Sequence, residues 1–124
     1  MKVLKFGGTS VGSIESIKQV LDIIKDNLSK GEKIAVVFSA MGGFTNQLIE
    51  MGQRAARKDD SYTDLIKKAE NRHFEVINTL IQPQYRGRVL ANVRVIFNEL
   101  EDLLKGVTYI QEVSPRTSDL IVSF

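Results

Sequence analysis

At 124 residues, 43% of them apolar and 26% charged, the chain has the length and balance of one globular domain with a core rather than of a disordered segment. Its net charge of +2, from 17 basic against 15 acidic residues, is too small to argue for nucleic acid, and no basic cluster interleaves with aromatics as a strand-binding groove requires. With no cysteine there are no disulfides, thiolate metal sites or cysteine nucleophiles, and with neither a secretory leader pattern nor an apolar run near the roughly 20 residues a bilayer needs, the expected setting is cytoplasmic, with no membrane partner.

Lys2-Val3-Leu4-Lys5-Phe6 reads as a short strand, followed by Gly7-Gly8-Thr9-Ser10. A helix follows from about Ser13 to Lys30, because Ile14, Ile17, Val20, Leu21, Ile24 and Leu28 recur at helical spacing, with Ser13 as N-cap and Gly31 just past the end. Residues 33–38 form a second strand, rich in Val and Ile and expected to be buried on both faces, and Ser39-Ala40-Met41-Gly42-Gly43 follows it. Residues 2–38 therefore read as a right-handed β-α-β unit with parallel strands. A second helix starts near Thr45, its N-cap, and turns Leu48, Ile49, Gly52 and Ala56 inward.

After the solvated break Lys58-Asp59-Asp60, a third helix begins with a capping-box-like Ser61 and Asp64. Its apolar face includes Leu65, Ile66, Ala69, His73, Ile77 and Leu80, and Pro83 ends it. A fourth helix runs from about Tyr85 to Lys105, with Val93, Ile96, Phe97, Leu100 and Leu104 inward and Gly106 closing it. The two make an antiparallel hairpin. The tail from Asp119 to Phe124 has strand propensity, but Ser114-Pro115 and Thr117-Ser118 are helix-start signals, and the first turns of a helix are favoured. Two strands with these helices do not complete an α/β sheet, and the chain stops within an apolar run. The expectation is the N-terminal portion of a longer protein, one that hides its open face by self-association when alone.

Amides at a helix start lack internal partners and sit at the positive end of the helix dipole, so a glycine loop there can hold an anion. Gly7-Gly8 and Gly42-Gly43 both fit, and parallel neighbouring strands place both loops at the carboxyl edge, where open α/β sheets bind ligands. The G-x-G-x-x-G fingerprint is absent and Ser39 stands near the place of the ribose-binding acid, which weakens a nicotinamide reading. Gly7 and Gly12 have Walker-loop spacing, but Ser13 holds the lysine position, and the available lysine is Lys5 on the preceding strand. A lysine with backbone donors is suitable equipment for phosphoryl transfer. Each feature has a plain reading beside this one: a tight turn for Gly7-Gly8, a solvated strand lysine for Lys5, a satisfied loop hydroxyl for Ser39. His73 reads as a core or boundary residue, Met41 and Met51 as packing, and Glu99, Glu101 and Asp102 as a solvated helix face rather than a metal site.

Lys5-Phe6-Gly7-Gly8-Thr9-Ser10, with Val11-Gly12-Ser13, resembles the opening signature of aspartate kinases. Val37-Phe38-Ser39-Ala40-Met41-Gly42-Gly43-Phe44-Thr45-Asn46 resembles their second signature, and the run from Ser114 to Phe124 resembles the approach to the third. The intervening helical hairpin is similar to that of bifunctional aspartate kinase–homoserine dehydrogenases. The resemblance implies the N-terminal part of the amino-acid-kinase α/β/α sandwich, with residues 1–124 an incomplete part of one catalytic domain. It implies transfer of the ATP γ-phosphate, with Mg2+, to the β-carboxylate of L-aspartate, by a homo-oligomer. Lys5 would stabilise the transferring phosphoryl group, Gly7 and Gly8 would donate amides to phosphate beside Thr9 and Ser10, Ser39 would sit between phosphate and aspartate, and Thr45 would hold the aspartate carboxylate. The glutamate of the third signature would follow Phe124, so the chain alone is expected to be inactive. Other readings are a glutamate, carbamate or UMP kinase of the same fold, a non-catalytic nucleotide or anion sensor, and a structural oligomerisation piece with the helical hairpin as its interface.

Overall fold

Two short strands pair first, and a helix crosses between them. In a computed structural model describing all 124 residues, β1 (Lys2–Phe6) and β2 (Ile34–Phe38) are parallel, in register from Lys2 opposite Ile34 to Phe6 opposite Phe38, and α1 (Ile14–Ser29) connects them. Ser13 caps α1 as expected: its backbone is extended and its Oγ accepts the Ser16 amide at 3.2 Å. Gly31, at φ 75°, takes the left-handed turn that ends the helix. Strand alternation puts Lys2, Leu4 and Phe6 on the α1 side. Lys2 Nζ reaches Asn27 Oδ1 at 3.0 Å and Glu32 at 2.7 Å, and Phe6 stacks on Phe38 at 5.8 Å. The expectation that β2 is buried on both faces is not met. Val3 and Val37 are 63% and 48% exposed, because no second layer covers the face that Val3, Lys5, Ala35 and Val37 share, and Phe38, on the α1 side with Phe6 but at the very end of its strand, is 55% exposed.

The chain forms two compact units, residues 1–44 and 45–124. The second unit is helical. α2 (Phe44–Ala56) starts one residue before Thr45, which therefore lies in the first turn and is not the N-cap. Leu48, Met51 and Ala55 are buried, whereas Ile49, expected inward, is exposed. α3 (Tyr62–Leu80) starts after Ser61 as expected, but Ser61 has helical dihedrals and caps nothing. Its Oγ instead donates to Asp59 Oδ1 at 2.6 Å and accepts from Arg54 Nη1 at 3.0 Å. Hydrogen bonds from the Ser61 side chain and amide hold the Asp59 carboxyl below its ordinary pKa.

Pro83 does not merely end α3. It opens α4 (Pro83–Ile110) at the first helical position, where its missing N–H costs nothing. α4 then runs past Gly106, expected to close it, and stops at Gln111 with φ 58°. The reason is Val107, which continues the buried row of Phe97, Leu100 and Leu104. Burying a valine is worth about 1.5–3 kcal/mol, more than the roughly 1 kcal/mol a mid-helix glycine costs. Arg94 meets Glu70 at 3.3 Å and lies over Phe74, and the His73 ring lies edge-on to Phe97. The two-residue link Ile81-Gln82 turns α4 back along α3, so that Thr63 at the start of α3 shares a cavity lining with Glu101 late in α4, and the two helices are antiparallel. His73 is half-buried, its Nδ1 2.7 Å from Ala69 O, the boundary residue expected. α5 (Pro115–Val122) confirms the helical tail: Ser114 Oγ accepts the Thr117 amide, and Ile121 is buried. Gly52 admits Ile121, whose Cδ1 would lie 3.0 Å from a Cβ there.

Candidate functional site

The register of the first unit puts the two glycine loops side by side. Phe6 and Phe38 are opposite one another at the ends of the strands, and the Ser39 amide donates to Phe6 O at 2.9 Å. Gly7 and Ser39 therefore leave the same sheet edge together. Beyond it the loops touch backbone to backbone. A Cβ on Gly42 would lie 3.1 Å from Gly8 O, one on Gly8 3.3 Å from Ala40 O, and one on Gly12 2.9 Å from Gly8 O. Three glycines thus let the loops approach more closely than any side chain allows.

The same packing leaves donors uncommitted. Val11 donates to Gly7 O and Gly12 to Thr9 O, but the Gly8, Thr9 and Ser10 amides donate to no backbone carbonyl. In the second loop, Phe44 donates to Met41 O, while the Ala40, Met41 and Gly43 amides likewise engage no backbone carbonyl. Two adjacent turns with open amides suit an oxyanion with several oxygens. Neither loop, from Gly7 to Gly12 or from Ser39 to Gly43, contains a carboxylate that would repel it.

Lys5 lies opposite Val37, exposed and in no ion pair, two residues before Gly7. It is on the open face of the sheet, away from α1. Thr9 and Ser10 instead line a cavity of about 260 Å3 with Phe6, Gln19, Val20 and Ile23, on the α1 side. The first unit therefore gathers Lys5, Gly7, Gly8, Thr9, Ser10 and Ser39 at one edge, but the Lys5 side chain and the Thr9–Ser10 cavity belong to opposite faces. Thr45 is the first residue of the second unit. The structural roles of Gly12 and Gly42 were missed by sequence reasoning. Their only signal was small residues spaced around Gly8.

The packing predicts a graded series. Gly42→Ala must displace the Gly8 carbonyl and is expected to cost about 1–3 kcal/mol. Gly43→Ala meets nothing within 4 Å but sits at φ 82°, a penalty of roughly 1–2 kcal/mol. Gly7→Ala meets neither obstacle and should stay within about 0.5 kcal/mol. Thermal unfolding of the three variants checks the order.

The model of the amino acid kinase family matches residues 1–113. The chain is 30% identical, over 99% of its length, to "Bifunctional aspartokinase/homoserine dehydrogenase" of Buchnera aphidicola, and 35% identical over 98% to "Aspartokinase 1, chloroplastic" of Arabidopsis thaliana. A shorter stretch, 42% of the chain, is 52% identical to "Aspartate kinase" of Pseudomonas putida. The chain spans 15%, 21% and 13% of these three proteins, respectively. No helix is long and apolar enough to cross a membrane. The family match runs through both glycine loops and through α3 and α4, and on that span the chain belongs to the amino acid kinase family.

Proposed function

We propose that this chain is the phosphate-handling portion of an aspartate kinase, which transfers the γ-phosphate of ATP to the β-carboxylate of L-aspartate and yields 4-phospho-L-aspartate. The observation that carries the reading is the pair of glycine loops packed backbone to backbone, with open amides and Lys5 at one strand edge. The names of the relatives at 30% and 35% identity point to aspartate as the acceptor. Thr45-Asn46 after the second loop supports aspartate over glutamate, carbamate or UMP.

The chemistry asks little of a protein base. A β-carboxylate is already ionised near neutral pH, with an ordinary pKa of about 3.9, so the attacking oxygen has no proton to lose. The absence of histidine and carboxylate from both loops is compatible with that. The obstacle is repulsion between the carboxylate and the phosphates. As the carboxylate oxygen bonds to the γ-phosphorus and the bond to the β–γ bridging oxygen breaks, Lys5 and the loop amides offset the negative charge on the transferring group. Gly7 and Gly8 donate to phosphate with Thr9 and Ser10 beside them, Ser39 stands between the two substrates, and Thr45 holds the aspartate carboxylate. Mg2+ would accompany the nucleotide and would offset phosphate charge; neither loop contributes a carboxylate ligand to it.

The open sheet face supports action within a longer polypeptide, a cytoplasmic homo-oligomer in this reading, with a homoserine dehydrogenase region as in the Buchnera relative. The test is trapping of acyl phosphate with hydroxylamine in the intact enzyme. Aspartate should give the hydroxamate and glutamate should not, with no ADP release driven by carbamate or UMP. ATP binding without turnover on any acceptor would instead favour an anion or nucleotide sensor. The 124-residue chain alone is expected to release no ADP above background.

A further inference from the structure

α4 is 28 residues long, and only one side of it is buried, by Phe97, Leu100, Leu104 and Val107. On the other side Arg88, Asn92, Val95, Glu99, Asp102 and Gly106 recur at alternating spacings of four and three and so form one stripe. All six are exposed. Beside them lie Tyr85 and Ile96, at 60% and 48% exposure, with Val95 on the stripe itself at 55%. Large apolar residues repeated along one exposed helix face mark an interaction surface.

The charges on that surface sort by position. Arg86, Arg94 and Lys105 are committed, to Ile81 O, to Glu70 and to Glu101. What remains is Arg88 towards the start of the helix, and Glu99 and Asp102 towards its end, none in an ion pair. Arg88 and Asp102 lie seven residues on either side of Val95. A two-fold axis at Val95 therefore brings Arg88 of each copy to Asp102 of the other, and Val95 to Val95. The same operation brings Asn92 near Glu99 and Tyr85 near Gly106, where nothing lies within 4 Å of the missing Cβ. Parallel pairing would instead set arginine on arginine and aspartate on aspartate. Because the stripe is complementary to its own reverse, it meets the requirement of an isologous contact.

We infer that the exposed face of α4 is a homodimer interface, occupied by α4 of a second copy of this chain running antiparallel. The inference does not depend on the kinase reading. One helix face buries less than the roughly 800 Å2 per partner of a standard interface, so the dimer dissociates in the micromolar range and weakens with salt.

Sedimentation velocity of the full 124-residue chain, from about 1 to about 300 μM, tests it. The unaltered chain should pass from monomer to dimer across that range. Asp102→Arg and Arg88→Asp should each weaken association at least about tenfold, and the double variant carrying both should restore it. Circular dichroism confirms that each variant is folded. In a chain with no native cysteine, Val95→Cys should cross-link to a dimer on oxidation, whereas Glu75→Cys on α3 should not. A chain monomeric throughout overturns the inference. So does a dimer indifferent to both single reversals, which docks elsewhere, or one weakened by each reversal and not restored by the pair.

Discussion

Lys5→Ala is expected to lower the rate of aspartyl phosphate formation by about 100- to 1,000-fold in the intact enzyme, the range seen when one preorganised donor to a developing charge is removed. The KM for aspartate should change far less, because Lys5 acts on the transferring phosphoryl group and not on the acceptor. Stability should be almost untouched, within about 0.5 kcal/mol, since the side chain is exposed and holds no ion pair. Lys5→Arg should rescue little. The amine is a compact point charge at the end of a flexible stem, and the planar guanidinium places its charge and donors differently. Steady-state hydroxamate assays with thermal unfolding separate these effects. If Lys5→Ala turns over normally while ATP affinity falls, the lysine is a binding residue and its transfer role is wrong.

Leu104→Ala should be the most damaging single truncation in α4, at about 2–5 kcal/mol. Leu104 is fully buried, in line with Leu100 and Val107, so removing its side chain leaves a void with little freedom to close. Ile96→Ala, eight residues earlier on the same helix, should cost within about 0.5 kcal/mol in the dilute monomer because Ile96 is 48% exposed. Chemical denaturation of both variants at low protein concentration gives the comparison. Near-equal costs would mean that both sides of α4 are packed.

Ile96 also shows where the sequence could and could not be read. Hydrophobic spacing located α4 and its pairing with α3, but an isoleucine at the edge of the apolar arc looks the same whether a neighbour covers it or not. β2 failed in the same way: its valines and phenylalanine identify a strand, not what lies over it. Capping chemistry was legible at Ser13, Gly31 and Ser114, where one side chain or one dihedral decides the outcome. It misled at Ser61, whose hydroxyl is taken by Asp59 and Arg54, and at Gly106, where burial of Val107 outweighs local propensity. At the candidate site, Lys5, both glycine pairs and Ser39 were legible from strand-loop-helix order. The approach of Gly42 to Gly8 was not, because a backbone contact between segments far apart in sequence leaves no periodicity.

The separation of the paired segments has a consequence for how the chain folds. α3 and α4 are joined by only Ile81 and Gln82, so their docking is a local event, open to a chain that has barely collapsed. β1 must find β2 across the whole of α1, and loop-closure entropy has to be overcome before the first strand hydrogen bond forms. The helical hairpin should therefore gain hydrogen-exchange protection ahead of the sheet. During that interval the Leu4–Val36 face that α1 later covers and the inner edges of both strands stand unprotected, and refolding yield should fall as protein concentration rises.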